Sequence, residues 1–298
     1  MAGEIAGHQI FRLIDTIALH VKPGGGAIDT EKRNRMSIIS LLKEQIMTSL
    51  SKSLTILIAT FAILSIVTAP ARALQTFNWA GYTWTISPYA IGSGIVSGNA
   101  SNVWIDASGY LHLDLSKIGT TWYGAEVATT NNFGFGHFYY VLNAPVTSME
   151  AQDVIAGFTY GPQNGVGKDG TNEIDVEFSK WNNASWWPIG DNLDFAIYPN
   201  SALWKGKLRH VEDDIAYTGT NTCTVRIDWS STSVTESVWN GVVSTTASPS
   251  TAVNTWTYNG TTTTIPQLAS PFLLNIWSYG VAPTQPVDAV IQSFAYYP

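Results

Sequence analysis

From about residue 75 to its end the chain is written in short stretches where apolar and polar residues alternate. They are separated by Gly, Asn, Ser, Thr and Pro. Alternation with period two places one set of side chains on each face of a β-strand, so each stretch predicts a strand with one buried face. Tyr110 to Leu115 puts Leu111, Leu113 and Leu115 on one side, and Thr224 to Trp229 does the same with Val225, Ile227 and Trp229. Phe138 to Leu142, Asp194 to Tyr198, Phe272 to Trp277 and Ile291 to Tyr296 predict further strands, whereas Ser244 to Thr264 reads as long loops or a weak hairpin. No window carries a helical period. Many short strands with frequent turn signals predict an all-β sandwich of antiparallel sheets.

The strictest alternation is Glu173-Ile174-Asp175-Val176-Glu177-Phe178. It aims Ile174, Val176 and Phe178 at a core and lines up three carboxylates on the opposite face. Like charges so placed repel one another and oppose strand pairing, so their presence points to use. Residues four apart on a strand have Cα atoms about 13 Å apart, and two Glu side chains leaning together close this to about 5–6 Å. That range covers the separation of about 5–5.5 Å that a retaining glycosidase needs between nucleophile and acid/base. Crowded carboxyl groups also push their pKa values apart, leaving one protonated beside an ionised neighbour. On pattern alone, a solvated acidic face and a cation site stay open as competing readings.

The first quarter of the chain differs. Leu54 to Val67 is almost continuously apolar, follows Lys52, and precedes Ala71-Arg72-Ala73, a small-x-small cleavage pattern. Fourteen helical residues span about 21 Å, short of a bilayer core of about 30 Å. Residues 47–73 therefore read as a secretory signal peptide cleaved after Ala73, with a retained membrane anchor as the competing reading. Residues 1–46 read as an over-long gene start or non-structural extension, since Met47 or Met36 begins a better-proportioned signal. The expected working part is 74–298, secreted and monomeric.

That part has 225 residues, enough for one large β domain, and carries 7 basic and 17 acidic residues, a net of −10. Such a balance disfavours nucleic acid and anionic membranes as partners and suits a neutral polymer. The lone Cys223 excludes an intramolecular disulfide framework. His112, His137 and His210 stand in no metal-ligand spacing, and no glycine-rich phosphate loop is present. All twelve Trp lie between Trp79 and Trp277. Most are expected to fill the sandwich, while a Trp beside polar contacts suits stacking on a sugar ring. Trp277 is such a case, because it shares a strand face with Asn275 in Leu273-Leu274-Asn275-Ile276-Trp277, and a buried Asn needs a partner.

These residues resemble glycoside hydrolase family 16, the β-glucanases built on a concanavalin-like β-sandwich or jelly roll. Glu173 to Glu177 is similar to the family's E-x-D-x-E strand in the spacing of licheninases and xyloglucan endotransglycosylases. Gly124-Ala125-Glu126-Val127 with Phe133-Gly134-Phe135-Gly136, Val225 to Trp229 with Val238-Trp239-Asn240-Gly241, Pro271 to Trp277, and Phe294 to Tyr297 resemble its flanking strands. The resemblance implies that Glu173 is the nucleophile, Asp175 its electrostatic helper and Glu177 the general acid/base. It further implies that Glu126, Tyr198, Asn275 and Trp277 contact the sugar. No cofactor is implied for the chemistry, and a structural calcium ion is compatible with it. Thr171, Ala196, Cys223 and Ser179-Lys180-Trp181 depart from the licheninase pattern, which bears on the glucan chosen rather than on the chemistry. The expected activity is endo-acting, retaining hydrolysis of a β-1,3-1,4- or β-1,3-glucan. The same residues would serve a transglycosylase, and a non-catalytic carbohydrate-binding protein on this fold is the alternative from another class.

Overall fold

The structure, a computed structural model, describes residues 74–161, 172–198 and 210–298. The extension and signal peptide expected over residues 1–73 lie outside the described residues, as does Thr171. In chain order the described strands are β1 (Gln75–Trp79), β2 (Tyr82–Ile86), β3 (Ala90–Ile91), β4 (Val96–Gly98), β5 (Val103–Ile105), β6 (Leu111–Ile118), β7 (Thr121–Thr129) and β8 (Gly136–Asn143). They continue with β9 (Asp153–Thr159), β10 (Glu173–Phe178), β11 (Leu193–Tyr198), β12 (Val211–Ile215), β13 (Thr222–Trp229), β14 (Ser233–Asn240), β15 (Asn254–Asn259), β16 (Phe272–Ser278) and β17 (Val287–Tyr297). Helical structure among the described residues is confined to single 3-10 turns, and no helix there is long and apolar enough to cross a membrane.

Two antiparallel sheets face each other. One runs β1–β2–β7–β16–β9–β10–β11–β12. The other runs β5–β6–β17–β8–β13–β14–β15. The β6–β7 hairpin belongs to both. Its outer part pairs Ser116 with Tyr123, while Leu111–Leu115 pair with β17 and Ala125–Ala128 with β16. The hairpin thus carries the chain over from one sheet to the other and closes that side of the sandwich.

The core follows the predicted alternation. Leu111, Leu113 and Leu115 are buried, as are Val225, Ile227 and Trp229. Each such side chain taken from water contributes roughly 1.5–3 kcal/mol. Between the sheets Phe138 stacks on Phe272 with centroids 5.1 Å apart, and Phe294 closes on Trp84 at 5.2 Å. Trp79, Trp84 and Trp229 are buried in this layer, which is the core-filling role expected of most tryptophans. The Ser/Thr-rich stretch holds a strand, β15, at the edge of its sheet. Trp256 and Tyr258 lean on the core, while Thr255 and Thr257 exchange side-chain hydrogen bonds of 2.9 Å with Ser237 and Thr235. Polarity on its outer face made this strand look like a loop in the sequence.

Candidate active site

β10 lies inside the first sheet, between β9 and β11. Ile174, Val176 and Phe178 are wholly buried in the sandwich, so Glu173, Asp175 and Glu177 emerge on the opposite face. Cross-strand register then fixes their company. Glu177 stands beside Ala156, which stands beside Asn275, which stands beside Glu126. On its other side Glu177 faces Asp194, and Asp194 faces Asp214. One row along, Asp175 lies between Phe158 and Ala196, and Phe158 lies beside Leu273. Tyr198 sits opposite Glu173. All seven residues predicted for the site, Glu126, Glu173, Asp175, Glu177, Tyr198, Asn275 and Trp277, therefore share one face of the sheet. Ala156, Phe158 and Leu273 form a small apolar patch in their midst.

This patch explains the electrostatics. Burial pushes the Glu177 carboxyl up to about 7, close to the pH at which a group can both give and regain a proton. Burial, with the charges of Glu173, Glu177, Asp194 and Glu236 added, holds Asp175 well above the usual carboxylate range. Asp175 is then a neutral acid able to donate a hydrogen bond to an ionised neighbour. Burial also raises Glu126, although hydrogen bonds from Asn275 and Ser87 oppose the shift. The Tyr198 phenol is raised by burial and by the neighbouring acids, so it stays a neutral hydroxyl.

Asn275 finds the partner its place demanded. Its Nδ2 donates to Glu126 Oε2 at 3.3 Å, while its buried Oδ1 finds no donor among the described residues. Trp277 is on the same face but offers little surface, being 6 % exposed. Gly92, at φ +49°, lies so close that a Cβ there would come within 2.5 Å of the indole, and Trp181 and Tyr279 meet the ring edge-on at 6.0 and 6.2 Å. Trp277 is thus a supporting residue more than a stacking platform. Among the described rings clustered about Trp181, the one exposed to solvent is Trp186, 57 % exposed and 5.9 Å from Trp181. Sequence reasoning did not single it out, although the departure at Ser179-Lys180-Trp181 marked the segment. Trp181, Asn182 and Asn183 all have positive φ, and the Trp181 amide donates to Ser179 Oγ at 2.9 Å. The three histidines stand apart from one another, His112 bonded to Asp288, His137 to Asp228 and His210 to Glu212.

No protein-family model and no curated protein matches the chain. Solved structures do. The Bacteroides ovatus mixed linkage glucan PUL family 16 glycoside hydrolase, in complex with a G4G4G3G product, aligns with TM-score 0.53 at 14% identity, over 75% of this chain and 98% of its own. A family 16 endo-glucanase from the same organism, in complex with G4G3G-2F-DNP, aligns with TM-score 0.51 at 14% identity, over 72% and 94%. An immunostimulatory antigen and pseudo β-1,3-glucanase of Mycobacterium tuberculosis aligns with TM-score 0.53 at 14% identity, over 72% and 89%. At such identities the likeness is one of fold: the described chain has the antiparallel jelly roll of these proteins, which supports the resemblance to glycoside hydrolase family 16.

Proposed function

We propose that this chain is a secreted, endo-acting glycoside hydrolase of the family 16 type that cleaves β-linked glucan with retention of configuration. The observation that carries the reading is the single-face row Glu173, Asp175 and Glu177, with Glu177 raised to about 7. Glu177 protonates the glycosidic oxygen while the Glu173 carboxylate attacks the anomeric carbon, and the leaving sugar departs with that proton. Glu177, now ionised, takes a proton from water, whose oxygen displaces Glu173 and frees the product. Neutral Asp175 supports whichever neighbour bears the charge. Glu126, Asn275 and Tyr198 supply polar contacts beside the apolar patch, and no cofactor enters any step. The glucan-bound Bacteroides ovatus neighbours support a β-glucan as substrate.

The Mycobacterium tuberculosis neighbour described as a pseudo-glucanase favours a second reading, a non-catalytic carbohydrate-binding protein. Proton NMR of the earliest products from mixed-linkage β-glucan separates the two. Hydrolysis with the β configuration retained is expected, because two displacements at one carbon restore the original face. Early α product would remove the retaining mechanism. Binding without cleavage of mixed-linkage β-glucan, laminarin and xyloglucan would establish the second reading, and transfer to a sugar hydroxyl in place of water would mark a transglycosylase.

Glu173→Ala is expected to lower turnover on the order of 10⁴-fold or more, with azide restoring part of it. Glu177→Ala should still form the glycosyl-enzyme from substrates with a good leaving group, and azide should speed its breakdown. Wild-type rates in either variant would dismiss the assignment.

A further inference from the structure

We propose that Asp194, Glu212 and Asp214 form a calcium-binding site at the edge of the sheet that carries the candidate active site. Register brings them together. β11 and β12 pair antiparallel with Asp194 opposite Asp214 and Ala196 opposite Glu212, so the three acids share one face. One carboxylate oxygen from each lies within 4.8 Å of the others. Oxygens ligating one calcium ion at about 2.3–2.6 Å are at most about 5 Å apart, and this trio meets that limit.

A second observation comes from hydrogen bonding. Asp194 is only 5 % exposed, yet among the described residues its Oδ1 finds no hydrogen-bond donor, and neither does the buried Oδ1 of Asp214. A buried carboxylate oxygen without a donor keeps its full desolvation cost, and a bound cation would supply the missing interaction. No Lys or Arg among the described residues pairs with the three acids. Among the described residues their ion-pair partner is His210, which holds Glu212.

The donor set selects the ion. Three carboxylates and no nitrogen or sulfur suit a hard cation. Two neighbouring strands offer an irregular half-shell, and the 40 % exposed Glu212 side chain leaves an open side for water ligands. Calcium accepts six to eight oxygens in flexible geometry, whereas magnesium demands a near-ideal octahedron at about 2.0–2.1 Å. With so few protein ligands the affinity belongs at the weak end, a Kd of about 0.1–1 mM. The ion would lie one strand beyond Glu177, on residues given no part in the chemistry.

Calorimetric titration of the EDTA-dialysed protein with calcium chloride, with thermal melts in parallel, tests this. The expected result is saturable binding and a Tm rise of about 5–10 °C at a hundredfold excess over Kd. A Glu212→Gln/Asp214→Asn variant, which removes two repelling charges, should bind one equivalent of calcium fewer and lose that rise. Absence of saturable binding up to 10-fold above the expected Kd would overturn the proposal. So would a variant that keeps the whole calcium increment, and a larger rise with magnesium chloride would overturn the choice of ion.

Discussion

Glu177 is a half-buried acid and Glu236 a fully buried one, and they differ in what surrounds them. Glu177 opens on the outer face of its sheet, where a proton has somewhere to go. On the proposed mechanism it must be protonated when substrate binds, so kcat/KM should fall about tenfold per pH unit above roughly 7. A rate profile flat to pH 9 would remove Glu177 from the acid role. Glu236 shares its strand face with Val234 and Val238, inside the sandwich, and neither carboxyl oxygen has a hydrogen-bond partner among the described residues. Burial, with the charge of Asp194, holds it well above the usual range. A carboxyl raised on folding favours the folded state below its unfolded pKa and loses that contribution as pH rises through the folded value. Glu236→Gln should therefore leave stability near wild type at pH 5 and exceed it at pH 9. Denaturant midpoints shifted equally at both pH values would contradict this.

At the scale of the element, β10 is legible because its two faces are chemically opposite, and three core residues pin its register against β9 and β11. A slip of one residue would bury the acids and expose Ile174, Val176 and Phe178. β9 is less legible, since all seven of its residues are buried and no alternation marks it. It bears Gly157, where a Cβ would come within 2.5 Å of the Tyr140 ring, so the two sheets meet closely beneath the acidic row. The segment after β10 sets Trp181 between Trp186 and the Trp277 of β16, and Trp277 and Trp186 should respond differently to truncation. Trp277→Ala empties a packed site and should cost about 3–5 kcal/mol of stability. Trp186→Ala should leave stability nearly unchanged and raise KM several-fold, because a ring stacked on sugar acts in ground and transition states alike. Thermal melts and steady-state kinetics of the two variants check both, and unchanged KM in Trp186→Ala would remove it from the substrate site.

For the whole molecule, the prediction concerns what leaves the cell. The natural protein should begin at or within a few residues of Leu74, and an intact mass that retains residues 1–73 would defeat the signal-peptide reading. The fold class could be read from the chain because period-two alternation is a local property, fixed by which side of a strand each residue faces. The three acids on one face, and the core residues opposite them, were legible for the same reason.

Which strands lie side by side was decided only in the tertiary structure. Long-range pairing put Ala156 and Phe158 between the acidic row and Asn275, and it is this apolar floor that raises Glu177 and Asp175. Pairing of β11 with β12 likewise gathered Asp194, Glu212 and Asp214, which are scattered along the chain. Exposure, too, belongs to the folded molecule. The sequence pattern singled out Trp277 and passed over Trp186, but Gly92 covers the first and solvent meets the second. A pKa or a free ring face depends on neighbours from distant segments, and no local pattern records them.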